Sequence, residues 1–156
     1  ILTAFDWLTL QRLVLAALLT GFIGYEREQH GRAAGLRTHL LVGLGSALVM
    51  LTALYMIEAS AGRMVIEPTR MAAQVISGIG FLGAGTILRS QESIRGLTTA
   101  ASLWVAAGIG LAVGGGFVFG ALVATLIALV ALFALGRIVH RDEREPFNGN
   151  VKSSEK

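Results

Sequence analysis

A chain of 156 residues in which 54% are apolar and only 15% charged is poorly suited to an ordinary soluble fold, where about a quarter of the residues would carry charge across exposed surfaces. The charges, net +3, are clumped between long apolar runs, and the chain has no cysteine from which a disulfide or thiolate metal site could be built. Five windows, Leu13 to Tyr25, Leu40 to Ile57, Met71 to Leu88, Leu97 to Gly116 and Phe117 to Gly136, contain no Asp, Glu, Lys or Arg.

About 20 helical residues cross a ~30 Å hydrocarbon core, a length that four of these windows approach or meet. The pattern predicts an all-α polytopic membrane protein with five transmembrane helices, near residues 7–25, 38–57, 69–89, 97–114 and 117–139, within one domain over residues 1–140. The first window is short. It reaches full length by starting near Trp7, which anchors at the interface while Arg12 snorkels outward. Glu67 and Pro68 start the third helix, with proline in the first turn and Arg70 at the interface. Gly114, Gly115 and Gly116 predict a tight turn before the fifth helix. Residues 141–156 read as a polar cytoplasmic tail. The stretch from Ile1 lacks the basic region of a secretory signal, and a few residues are expected to precede it.

Basic residues orient the helices. With the N-terminus outside, the cytoplasmic segments hold Arg27, Arg32, Arg37, Arg89, Arg95, Arg137, Arg141, Arg144, Lys152 and Lys156, leaving Arg12, Arg63 and Arg70 outside. This asymmetry predicts an N-terminus outside and a C-terminus in the cytoplasm. Topology and attraction to anionic headgroups account for the arginines, so nucleic acid is not an expected partner and the lipid bilayer is.

Within the third window Gly78, Gly80 and Gly83 spell Gly-x-Gly-x-x-Gly. A dinucleotide site would need a preceding strand and a βαβ unit, and the flanks supply neither. Small residues at Ala73, Ser77, Gly80 and Ala84 instead share one helix face, suited to close helix approach in lipid. Gly78, Gly80, Gly83 and Gly85, with Gly110 and Gly114 of the fourth helix, are expected to form the packing centre of the bundle. Further stripes occur at Ala17 and Gly21, at Gly43 and Ala47, and at Gly120, Ala124 and Ala128. One stripe also suits a homo-oligomer seam, a dimer being favoured.

Ion carriers place ionisable groups near the bilayer midplane, and none of the five windows has a carboxylate, Lys or Arg there. Gln74, Ser77 and Thr86 are the polar groups of the third helix, with Arg70 at its outer end. They suit interhelical hydrogen bonds or, alternatively, the lining of a polar path. Glu58 and Glu67 are weak candidates for an external Mg²⁺ site, solvated helix-end charge being the favoured reading. Glu26, Arg27 and Glu28, with Arg32 and Arg37, suggest an ion-pair network. His30, His39 and His140 sit at helix ends, where solvated polar contacts are expected. No nucleophile, base and orienting group fall together, so neither an enzyme nor a cofactor is expected.

Shifting the sequence by 61 places Gly35-Leu36-Arg37-Thr38 on Gly96-Leu97-Thr98-Thr99, a weak repeat in which a threonine is expected to cap each following helix. Arg37 and Arg95 beside these elements are the favoured docking residues for a partner's acidic surface.

The cytoplasmic loops carry a resemblance. Glu26-Arg27-Glu28 with Gly31-Arg32, Ala34 to Thr38, Arg70 to Gly85, and Arg95 to Ala101 with Trp104 resemble the MgtC/SapB family of bacterial inner-membrane proteins, in order and spacing over roughly residues 10–135. The resemblance implies a five-helix domain in the cytoplasmic membrane, tied in pathogens to growth at low magnesium and survival inside macrophages. It also implies a regulator of other membrane proteins, with ATP synthase and P-type cation ATPases as proposed targets. A transporter or channel for Mg²⁺, another cation or a small solute is the alternative. The candidate partner loops are then Glu26, Arg27, Glu28, Arg32, Arg37, Thr38, Arg89, Arg95, Thr98 and Thr99. Longer members continue into an ACT-like domain, where here a short polar tail is expected, and position 98 is Thr where some members carry Asn.

Overall fold

Thr3 opens the first helix with a reciprocal cap: its hydroxyl accepts the Asp6 N–H at 3.2 Å, and the Asp6 carboxylate accepts the Thr3 N–H at 2.8 Å. The computed structural model describes residues 3–61, 63, 65, 67–89 and 94–142, the side chains of Leu88, Arg89 and residues 135–142 excepted. Its elements are α1 (Ala4–Gln29), α2 (Leu36–Ser60), α3 (Pro68–Gly85), β1 (Leu88–Arg89), β2 (Ile94–Arg95), α4 (Leu97–Gly115) and α5 (Val118–Asp142). Arg141 and Asp142 thus belong to α5, and the remainder of the expected tail lies outside the described residues.

Among the described residues three helices, α1, α2 and α4, are long and apolar enough to cross a membrane. The outer surface is correspondingly greasy, with Leu18, Phe22, Leu41, Leu48, Phe81, Phe119, Leu126 and Ile127 all exposed. The interior is built around α4, whose apolar window is 56% buried against 33% for α1 and 28% for α2. Ala16, Leu19, Ile23, Ala47, Ile109, Val113 and Ala121 join α1, α2, α4 and α5 in one core cluster. Ala34, Val42, Ile79, Leu103, Ala106 and Ala107 join α2, α3 and α4 in another.

Cross-helix contacts define two ends. Phe5 packs on Tyr55 with ring centroids 5.7 Å apart, and Arg12 Nη1 donates to the Gly114 carbonyl at 2.8 Å, so the start of α1 meets the ends of α2 and α4. Arg12 therefore caps a helix C-terminus, where cations are favoured and the last carbonyls lack partners, rather than only snorkelling. At the opposite end, called the loop end below, α1 turns into α2 and α3 leads into α4.

Small residues bring α2 and α4 together. A Cβ at Gly110 would run into the Gly43 carbonyl, and one at Gly114 would lie 2.6 Å from the Ala47 carbonyl oxygen. Gly110 and Gly114 are thus packing glycines, as their spacing predicts. The glycines of α3 are not. Gly78, Gly80 and Gly85 have open space where a Cβ would sit, and Gly83 alone makes an ordinary contact, 3.5 Å from Ala100. The packing centre lies in α2 and α4, which are flanked on both sides by other helices, whereas α3 has one side covered.

The sequence pattern runs the third helix to residue 89, but it ends at Gly85. Thr86 donates its hydroxyl to the Gly83 carbonyl at 2.8 Å, and the chain then forms an antiparallel ladder pairing Leu88 with Arg95 and Arg89 with Ile94. The signal is a run of β-branched and apolar residues, interrupted by the polar Ser90-Gln91-Glu92-Ser93. Gly96 ends the hairpin at φ +92°, and a Cβ there would collide with the Thr86 carbonyl.

Candidate functional site

The loop end gathers the buried polar groups. Glu26 and Arg27 occupy the last turns of α1 with side chains 1% and 4% exposed. Sequence neighbours normally diverge on a helix surface, yet here the Arg27 guanidinium folds back on the Glu26 carboxylate as a two-pronged pair, Nη2 donating at 2.8 Å beside the Nε contact. Burial requires that pairing, because neither ion is stable alone away from water. His30 Nδ1 donates to the Glu26 carbonyl at 2.8 Å and lies 3.1 Å from its carboxylate, while the ring meets Phe133 of α5 edge-on at 6.1 Å.

Glu28 has a different task. Its carboxylate accepts the Leu36 N–H at 2.7 Å, capping α2 from the preceding helix. Gly35 and Gly96 are the N-caps of α2 and α4, and neither Thr38 nor Thr99 caps its helix by its side chain. Arg32, Arg37, Thr38, Arg95 and Thr98 are exposed, so the expected ion-pair network contracts to Glu26 and Arg27, with the His30 ring beside the carboxylate. Thr99 is buried. The Arg89 side chain, Glu92 and the side chain of His140 lie outside the described residues.

His39 is the residue that sequence reasoning misplaced. It is fully buried, not solvated, because the helix turn that carries it faces α1 and α4, where Gly24 leaves room for its Cβ. Its Nδ1–H donates to the Gly35 carbonyl at 2.9 Å, and Nε2 sits 2.9 Å from the Ser102 hydroxyl, which lies 2.8 Å from the Thr99 carbonyl. This chain of contacts ties α2 to α4. Ser102→Ala should lower stability in detergent by about 1–3 kcal/mol by stranding the ring nitrogen, whereas Ser77→Ala should stay within about 0.5 kcal/mol. Equal melting of the two variants would refute that assignment.

Three further buried hydroxyls are absorbed locally, Thr20, Ser46 and Thr125 donating to the Ala16, Val42 and Ala121 carbonyls of their own helices, whereas the buried Thr9 hydroxyl has no partner among the described residues. Glu58 and Glu67 are exposed, and no group of three His, Asp or Glu able to hold a metal ion occurs among the described residues. Arg70 is exposed near the start of α3.

On α3 the predicted small-residue face exists but points away from the bundle. Ala73, Ser77, Gly80 and Ala84 are all exposed, and so are Gln74 and Phe81 beside them. Neither Gln74 nor Ser77 makes a hydrogen bond among the described residues. Since α3 rises about 27 Å over its length, Ser77 lies near its middle.

Five helices with an apolar exterior, a glycine-tightened interior and a buried ion pair at one end define an all-α membrane protein. The sequence profile of the MgtC family matches residues 13–141, and the chain belongs to that family. It is 43% identical over 132 residues to the "Putative magnesium transporter YhiD" of Escherichia coli K12, covering 83% of this chain and 61% of that protein. It is likewise 43% identical over 140 residues to "Protein MgtC" of Salmonella typhi, covering 90% of this chain and 58% of the relative. An uncharacterized Haemophilus influenzae protein is 40% identical over 154 residues, 92% of this chain and 65% of its own length. The chain thus spans about three fifths of the length of these relatives. No solved structure matches it.

Proposed function

We propose that the protein is a regulator in the bacterial cytoplasmic membrane that acts by contact with other membrane proteins, ion-translocating ATPases being the expected class. The observation that carries this reading is the outward face of α3, where Gln74 and Ser77 lie exposed among Ala73, Gly80 and Ala84. An exposed amide and hydroxyl are unfavourable against hydrocarbon and favourable against a second helix, which small residues allow to approach closely. The exposed Arg32, Arg37 and Arg95 at the loop end supply positive charge for a partner's acidic surface. A second copy of the chain is the competing occupant of the α3 face.

Transport of a cation is the second reading, favoured by the name of the Escherichia coli relative. Both are tested by placing a photocrosslinking amino acid at Ser77 in native membranes and by reconstituting the protein in liposomes. The regulator reading expects Ser77 adducts to a foreign membrane protein at stoichiometric yield, reduced by Gly80→Leu, and no flux. Saturable Mg²⁺, Na⁺, K⁺ or H⁺ flux that disappears on Gln74→Leu would establish transport instead, and adducts to the same chain alone would leave a structural oligomer.

A further inference from the structure

A cleft of about 580 Å³ separates α2 from α3 on the side of α3 away from the face described above. Leu41, Gly45 and Val49 form one wall and Val75, Gly78 and Leu82 the other, with Arg37 and Thr38 at the mouth on the loop end. Between Arg37 and Val49 α2 rises about 18 Å, close to the ~15 Å depth of hydrocarbon in one leaflet. The cleft is open where a ligand would need it: a Cβ at Gly45 or at Gly78 would meet nothing within 4 Å.

The mouth favours an anion. Arg37 is exposed there, and among the described residues it has no hydrogen-bond or ion-pair partner and no acidic side chain lines the cleft. The nearby Glu28 carboxylate is taken up by the Leu36 N–H. Among the described residues the N–H groups of Arg37 and Thr38 in the first turn of α2 have no side-chain acceptor, Glu28 serving that of Leu36. An apolar slot one leaflet deep with a guanidinium at its entrance matches a phosphodiester carrying acyl chains.

We propose that this cleft binds one anionic phospholipid, an acyl chain lying along Gly45 and Gly78 and the phosphate seated on Arg37. The site is independent of the partner-contact reading, since it uses a different side of α3. Its occupant comes from the leaflet at the loop end, whichever side of the membrane that is.

Native mass spectrometry of the full chain in detergent tests it, with phosphatidylglycerol, phosphatidylcholine of the same acyl chains, and inorganic phosphate as probes. One saturable phosphatidylglycerol per chain is expected, bound roughly fivefold more tightly than phosphatidylcholine, the factor that one basic residue contributes at an anionic headgroup. Arg37→Gln should erase that preference, and Arg32→Gln, on the same end outside the cleft, should leave it. Gly45→Leu and Gly78→Leu should each evict both lipids while the helical circular dichroism stays unchanged. Equal affinity for the two lipids, equal effects of Arg32→Gln and Arg37→Gln, or lipid retained in both leucine variants would overturn the proposal. So would inorganic phosphate binding that needs Arg37 and ignores Gly78→Leu, which marks a free-anion site. A dimer that dissociates on Gly78→Leu would show a second copy in the cleft and overturn it equally.

Discussion

Gly110→Ala is expected to lower the stability of the protein in detergent by about 1–3 kcal/mol, and Gly110→Leu to prevent accumulation of folded protein. The reason is geometric. At this point α4 lies against the backbone of α2, and an added Cβ would meet the Gly43 carbonyl and come within 2.9 Å of the Ser46 Cβ. Backbone cannot rotate aside as a flexible side chain can, so the helices must separate, and with them the core that Ala47, Ile109 and Val113 share. Gly108 provides the contrast two residues earlier, because a Cβ there meets nothing within 4 Å. Gly108→Ala should therefore be neutral or add up to about 1 kcal/mol through helix propensity. Denaturation in mixed micelles followed by circular dichroism reads both variants. If Gly110→Ala unfolds together with the parent chain, the close α2–α4 seam is not a stability determinant.

The second large effect is expected at the loop end. Glu26→Gln or Arg27→Met alone should cost about 3–5 kcal/mol, because either one leaves a charge buried without its counter-ion. The double variant should lose much less than the sum, with a coupling of up to about 3 kcal/mol, since removing both ions removes the need for either. Arg32→Gln and Arg95→Gln, exposed on the same end, should stay within about 0.5 kcal/mol. A double-mutant cycle in the same micelles measures the coupling. Strict additivity would mean that the two side chains are solvated separately in the membrane and that the pair contributes nothing to folding.

The contrast between these arginines shows where sequence reading reaches its limit. Arg27, Arg32 and Arg37 look alike in the sequence, each in a basic segment between apolar runs. Only the fold turns Arg27 inward, leaves Arg32 in the loop and sets Arg37 at the mouth of a cleft. His39 is similar: nothing local separates it from His30, yet one is fully buried against Ser102 and the other exposed. Glycines divide in the same way. Gly110 and Gly78 have the same local chemistry, and what differs is whether another backbone lies opposite.

The sequence by itself determined the five helices, the membrane setting and the family, because hydrophobic length and charge exclusion are one-dimensional quantities summed along the chain. It also placed a row of small residues on one side of α3, since helical periodicity fixes which residues share a face. The tertiary structure alone decided which way that face points, which helix occupies the centre, and which ions lose their water. Those outcomes depend on neighbours distant in sequence: α4 is central because α1, α2, α3 and α5 surround it, and α3 keeps Gly80 and Gly85 open because none of the described helices packs against them.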